Sequence, residues 1–282
     1  MDAIIFIDTN ILLDFYRIRS SDISLSYLEL IDNNHDKIIT GNQIEMEFKK
    51  NRQKVILESI GKIKTPNWES LTPPAILSDA KPSDIIEKKK KEIAKQHKKL
   101  RDRILKILKS PATSDPVYQT LQRLFKDDTD LNLNRNKKIR YTIRNLAKKR
   151  FILGYPPRKK EDNSIGDAYN WEWILKCAED TGKNVIIVTR DSDYGVIYDK
   201  EGILNDWLMQ EFKERISRKR KIILTDRLAW AFDQIKVTVT KEMIEEEERL
   251  IALFKDSLST PKEAEELREL IDFIDKIKFE NK

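Results

Sequence analysis

Four short apolar runs, each stopping on polar residues, constrain this chain more than any other feature. Ile4–Ile7 ends at Asp8-Thr9-Asn10, Ile38-Ile39 at Thr40-Gly41-Asn42, Val185–Val188 at Thr189-Arg190-Asp191, and Ile222–Leu224 at Thr225-Asp226. Short runs of Ile and Val without polar interruption suit strands buried on both faces, as in a parallel sheet covered by helices. Helical patterns follow: one from near Ile11, one from about Gln43 to Ile60, and one through Phe232 with Thr225-Asp226 as its expected cap. Strands alternating with helices predict a three-layer α/β/α fold with a central parallel sheet.

Two segments depart from that alternation. Between Lys81 and Lys109 there are 12 Lys/Arg against 4 Asp/Glu, with Ile86, Ile93, Leu100, Ile104 and Leu108 at mostly helical spacing. Pro82-Ser83 marks its start and Ser110-Pro111 its stop, and a shorter helix is expected from Pro116 to Phe125. Residues 81–134 therefore read as a helical hairpin inserted between two parts of the core, 1–80 and 135–240. Residues 241–282 form a helical tail. There, Thr260-Pro261-Lys262-Glu263 has the form of a capping box, and a stripe runs from Ala264 through Leu267, Leu270, Ile271 and Ile274 to Ile277. Such a stripe must pack on something, here its own body or a partner.

Charge is distributed unevenly. The chain carries +6 overall, but the tail holds 8 Lys/Arg against 13 Asp/Glu, leaving +11 on the rest. A basic body suggests a polyanionic partner, although solvated faces would look the same. The run Arg135–Lys160 is denser, with 11 Lys/Arg, no acid, and Tyr141, Phe151 and Tyr155 interleaved. Like charges repel at helical spacing, so this density points to phosphate contact. Arg140, Arg144, Lys148, Lys149, Arg150, Arg158 and Lys159 are its candidates, and Pro156-Pro157 is expected to end its helix. One cysteine excludes an internal disulfide framework and a multi-thiolate zinc site. No apolar run reaches the roughly 20 residues of a membrane span, and the start lacks the marks of a signal peptide, so the expected location is cytoplasmic.

The chemistry lies in the acids. In an open parallel sheet, ligands gather at the carboxyl ends of the strands. Asp8 and Asp191 occupy such positions, Asp193 follows closely, and Asp167 opens a helix bearing Trp171, Ile174 and Leu175. Glu45 and Glu47 lie near the start of the helix after Ile38-Ile39, about 200° apart around it, so only one can face a common site. Each acid could serve as an ordinary cap or turn residue. Together they would repel one another unless a cation neutralises them, and Mg²⁺ or Mn²⁺ prefers such oxygen ligands.

Phe6-Ile7-Asp8-Thr9-Asn10-Ile11-Leu12-Leu13 resembles the opening of PIN domains, and Val188-Thr189-Arg190-Asp191-Ser192-Asp193-Tyr194 resembles their late motif. Glu47-Phe48-Lys49-Lys50-Asn51-Arg52 is similar to the Glu-aromatic-x-x-Asn-Arg of the PIN-like family with a long helical insertion, as are Arg150-Phe151, Pro156-Pro157 and Gly166-Asp167. Arg158 departs from that family, which often has Gly there. The resemblance spans about residues 1–240 and selects Glu47 over Glu45. It implies a nuclease in which Asp8, Glu47, Asp167 and Asp191 hold one or two Mg²⁺ or Mn²⁺ ions, with Asp193 auxiliary. Thr9, Asn10 and Thr189 would orient those ligands, and Arg52 would join the basic run in holding the backbone. The implied reaction leaves a 5′-phosphate and a 3′-hydroxyl, on RNA before DNA, in a toxin or an antiviral effector. A regulator or self-association is expected through the insertion or the tail. Alternatives are a DNA-directed nuclease, a silent nucleic-acid-binding scaffold, and a phosphate-transfer enzyme of receiver or haloacid type. The last is weakened because Lys183 precedes its strand.

Overall fold

The computed structural model describes residues 1–61, 74–77, 79–158 and 164–258. β1 (Ala3–Ile7) runs into α1 (Thr9–Leu13), a single 3-10 turn and α2 (Ser21–Asn33); β2 (Ile38–Gly41) leads into α3 (Asn42–Gly61). The middle of the chain holds α4 (Lys81–Lys109), α5 (Pro111–Ser114), α6 (Pro116–Lys126), the two-residue β3 (Asn132–Leu133), α7 (Arg140–Leu153) and α8 (Gly166–Thr181). β4 (Asn184–Val188), β5 (Gly195–Tyr198), β6 (Glu201–Leu204), α9 (Asp206–Arg215), β7 (Ile222–Thr225), α10 (Leu228–Gln234) and α11 (Lys241–Leu258) follow.

One seven-stranded sheet has the order β3-β2-β1-β4-β7-β6-β5. The first five strands are parallel, and each apolar run of the sequence is one of them. Every residue of β1 is buried, as are the four apolar residues of β4, so helices cover both faces. α8 packs on β4 amid α3, α7 and α9, while α10 packs on β1 and β4 with α11 beyond it. The sheet ends differently from the expected parallel pattern. β5 and β6 pair antiparallel through a two-residue turn, Asp199-Lys200, with φ of 46° and 68°. So short a connection permits only antiparallel pairing, and Val196 and Tyr198 stand exposed, so this edge strand lacks the two-sided burial of the parallel strands.

The insertion divides in two. α4 stands in solvent with Ile86, Ile93 and Leu100 exposed. α6 instead buries Val117, Leu121, Leu124 and Phe125 in the core, and β3 extends the sheet beyond β2, so the second half belongs to the body. Arg52 ties the halves together. Rather than meeting phosphate, as the sequence suggested, it is 3% exposed. Its guanidinium donates to the Asp115 carboxylate at 2.8 and 2.5 Å, to the Tyr16 hydroxyl at 3.0 Å and to the Ile107 carbonyl at 2.7 Å. Asp115 also caps α6 by accepting from Tyr118 N at 3.0 Å. A guanidinium so enclosed is structural.

Two helix ends differ from expectation. α7 stops before Pro156-Pro157, because Gly154 takes the left-handed conformation (φ 75°) and its N–H reaches back to Arg150 and Phe151. Thr225-Asp226 does not supply the carboxylate cap of α10. Glu247, from α11, accepts from Leu228 N at 2.5 Å and from Ala229 N at 3.2 Å. Met243 and Leu250 are buried, and Tyr27 donates to the Met243 carbonyl at 3.0 Å, so the first helix of the acidic tail docks on the body. The second expected tail helix, Thr260 to Ile277, and Lys159 lie outside the described residues. Among the described residues no helix is long and apolar enough to cross a membrane.

Two outcomes follow from these buried charges. Asp115→Ala leaves the Arg52 guanidinium buried without its carboxylate and should cost about 3–5 kcal/mol, read as a lowered urea midpoint. Burial pushes the Glu247 carboxyl up from 4.5 to about 7, against the two helix N–H groups and Arg190 and with help from Asp226. Its folded pKa exceeds its unfolded one, so its contribution is present below about 4.5 and lost as pH rises through about 7. Glu247→Gln should therefore match wild type near pH 5 and exceed it in melting temperature above pH 7.

Candidate active site

The parallel register fixes the first pair of site residues. Ile7 lies opposite Val188, and Asp8 N donates to the Val188 carbonyl at 2.9 Å, so the chain leaves both strands at the same height. Asp8 and Thr189 then meet: the Thr189 hydroxyl donates to Asp8 Oδ2 at 2.5 Å. Asp8 also caps α1, accepting from Thr9 N at 2.6 Å, and receives Asn10 Nδ2 at 2.9 Å. Thr189 Oγ1 in turn accepts from Asp191 N at 2.9 Å, which fixes the start of the Asp191 loop. Arg190 holds the same loop from behind by pairing with buried Asp14, which Arg17 also bridges at 2.9 Å.

Glu47 reaches this rim from α3. The Thr9 hydroxyl donates to its Oε2 at 3.1 Å, and Gln43 Nε2 donates to its Oε1 at 2.6 Å. Gln43 was not singled out in the sequence, although it stands one helical turn before Glu47, the spacing at which side chains meet. Glu45 turns away and bridges to Lys49 at 2.6 Å. The start of α8, which carries Gly166-Asp167, comes up to the same carboxylate. A Cβ on Gly166 would stand 2.6 Å from Glu47 Oε1 and 2.8 Å from Gln43 Nε2, so the helix start lies directly against the ends of these two side chains and a larger residue would displace them.

The electrostatics record how near these acids stand. Burial raises the Asp8 carboxyl to about 6, opposed by the Thr189 hydrogen bond and reinforced by Asp191 and Glu47. The Tyr194 hydroxyl is pushed well up by complete burial, then by Asp167, Asp8, Glu47 and Asp191. Four carboxylates from four separate chain segments thus lie near enough to this phenol to act on it. That hydroxyl is buried and has no hydrogen-bond partner among the described residues. Its ring lies between Phe6 and Trp171, with centroids 6.1 and 6.4 Å away. The sequence marked Tyr194 only as the aromatic of its motif. Asp193 is half-buried beside it.

Among the described residues no three acids stand in a ready-made metal-binding group. The donor chemistry nonetheless fits a hard divalent cation: the converging groups are oxygens, they repel one another, and the Tyr194 hydroxyl is satisfied by nothing around it.

The basic candidates divide. Arg144, Lys148, Lys149 and Arg158 are exposed, and Arg140 lies over the Tyr141 ring at 4.7 Å. Arg150 is 4% exposed, donating to Glu172 at 2.9 Å, to the Pro156 carbonyl at 2.6 Å and to Glu211. The expectation of phosphate contact fails for Arg150 as for Arg52, because buried carboxylates enclose its guanidinium.

Thr189→Val keeps the shape of the side chain but removes the donor to a buried carboxylate. We expect a loss of about 1–3 kcal/mol at pH 8, narrowing as pH falls below about 6 and Asp8 protonates. Denaturation in EDTA at both pH values measures it.

Comparison with known proteins adds the family. A family model described as a PIN like domain matches residues 4–195, from the first residues of β1 to the start of β5, and so includes all five acids considered above. No curated protein and no solved structure matches the chain. With more than half its length matched across the strands and helices that carry these acids, the chain belongs to the PIN-like domain family, whose superfamily is one of nucleases.

Proposed function

We propose that this protein is a divalent-metal-dependent endoribonuclease, with Asp8, Glu47, Asp167 and Asp191 as its metal ligands and Asp193 auxiliary. The observation that carries the reading is the carboxylate network at the carboxyl ends of β1 and β4, where Thr189 and Asn10 hold Asp8 and the adjoining Thr9 donates to Glu47. When bound, Mg²⁺ or Mn²⁺ supplies charge neutralisation, polarisation of a phosphoryl oxygen and a lowered pKa of water. The chain's own residues do the rest. Thr189, Asn10 and the Thr9 amide hold the Asp8 carboxylate in one orientation, while Thr9 and Gln43 hold Glu47. Ligands locked in this way need little rearrangement when loaded.

Arg140, Arg144, Lys148 and Lys149 along α7, with Arg158 just beyond it, would track the phosphates. α7 packs along α8, whose first turn carries Asp167. RNA before DNA, and a growth-arresting or antiviral role, rest on the family resemblance.

The test is end-labelled single-stranded RNA and matched DNA with Mn²⁺, Mg²⁺ or EDTA, for wild type, Asp8→Ala and Asp167→Asn. Metal-dependent RNA cleavage should fall by at least about 100-fold in both variants, since each removes a ligand. Induced wild type, but not Asp8→Ala, should arrest growth. If neither polymer is cut and calorimetry finds no Mn²⁺ binding, the reading fails in favour of a silent scaffold.

A further inference from the structure

Two partly exposed aromatic side chains pack against each other with their rings tilted by 37°. Tyr155 follows the end of α7 and Trp207 lies in the first turn of α9; their ring centroids are 5.1 Å apart, and they remain 40% and 45% exposed. The acids do not use them, and the core does not cover them.

Their position is fixed with respect to the site. Asn205 N donates to the Tyr194 carbonyl at 2.8 Å, and Asn205 Oδ1 accepts from Trp207 N at 3.0 Å. Asn205 therefore links Trp207 to the backbone of Tyr194, the buried tyrosine of the site. Tyr155 is held from the other side. Its N–H reaches the Arg150 carbonyl at 3.1 Å, while the buried Arg150 side chain grips Glu172 of α8 and Glu211 of α9. The guanidinium that the sequence read as a phosphate contact thus sets the spacing between α7, α8 and α9, and with it the aromatic pair. Arg158 stands nearby over the Phe151 ring at 4.5 Å, exposed, and the free cations of α7 lead away along the helix.

We infer that Tyr155 and Trp207 form a stacking platform for an unpaired base of the nucleic-acid strand whose backbone the α7 cations hold. This deepens the nuclease reading and rests on it: the platform would make single-stranded nucleic acid the substrate class of the acidic site. An exposed aromatic face fixed beside a basic helix suits a base, because every base offers a π-face and its phosphates need cations. In a duplex those faces are already stacked inside the helix, so the platform rejects paired strands. Because it reads π-faces, it selects strandedness and not sugar.

The test is binding of the full chain in EDTA, where no cleavage intervenes. Fluorescence anisotropy compares a short labelled single-stranded RNA, the same strand as DNA, and their duplexes. Trp207→Ala and Tyr155→Ala should each weaken single-strand binding roughly 5- to 100-fold and change duplex binding less than about twofold. Trp207→Tyr should restore most of the loss, which a merely space-filling role would not require. Arg144→Ala should weaken both strand forms together. Single-strand binding retained in both alanine variants, or lost equally for duplex and single strand, overturns the platform. Wild-type cleavage with Mn²⁺ is scored separately. Cleavage beside unaltered alanine-variant binding removes the platform alone. Strand-selective binding lost in those variants, without cleavage, supports the platform and removes the nuclease.

Discussion

The site depends on the parallel register between β1 and β4. With Ile7 opposite Val188, the two strands end together, and the first polar residue after each faces the other. A slip of one residue would turn the alternating side chains of β1 to the opposite face of the sheet and carry Asp8 away from Thr189. Everything that follows hangs on that meeting: the Thr189 hydroxyl positions the Asp8 carboxylate, accepts the Asp191 amide and so fixes the second loop. The buried strands are what enforce it, since β1 and β4 bury apolar side chains on both faces and neither can shift without exposing them.

A carboxylate cluster of this kind is costly for the folded chain. Burial raises the Asp8 pKa, and Asp191 and Glu47 add to the rise. The surrounding structure offsets it locally. Hydroxyl, amide and carboxamide donors reach Asp8 and Glu47, and Gly166 at the start of α8 lies against the ends of Glu47 and Gln43. Arginines are kept one layer out: Arg190 pairs with Asp14, Arg150 with Glu172 and Glu211, and Arg52 with Asp115. Each braces an element that carries a site residue. A supporting shell thus holds Asp8 and Glu47 each in one orientation.

The acidic tail is tied to this arrangement through a helix end. Glu247 caps α10, which packs on β1 and β4, and Arg190 faces it from the loop between Thr189 and Asp191. Arg249 donates to the Arg17 carbonyl at 3.2 Å, and Arg17 itself bridges Asp14. The negative charge of α11 is thus partly consumed in holding the underside of the site rather than being displayed to a partner.

The sequence by itself determined the parallel strands and the candidate acids, because both are local facts. An apolar run marks a buried strand wherever it lies, and an acid just after such a run falls at the rim of the sheet, as Asp8 and Asp191 do. It also placed Asp167 at a helix opening and Glu45 and Glu47 near the start of α3, while family likeness chose Glu47 between the last two. Only the tertiary structure decided which cations are free. Arg52 and Arg144 look equivalent in a basic stretch, but the carboxylate that captures Arg52 lies 63 residues away, and those that capture Arg150 lie 22 and 61 residues away. The cap of α10 and the Tyr155–Trp207 pair were equally beyond reach of periodicity, since each joins segments that meet only after the core has packed. A charge or an aromatic ring carries no mark of its partner. Its role is set by whether burial supplies one or leaves it in solvent.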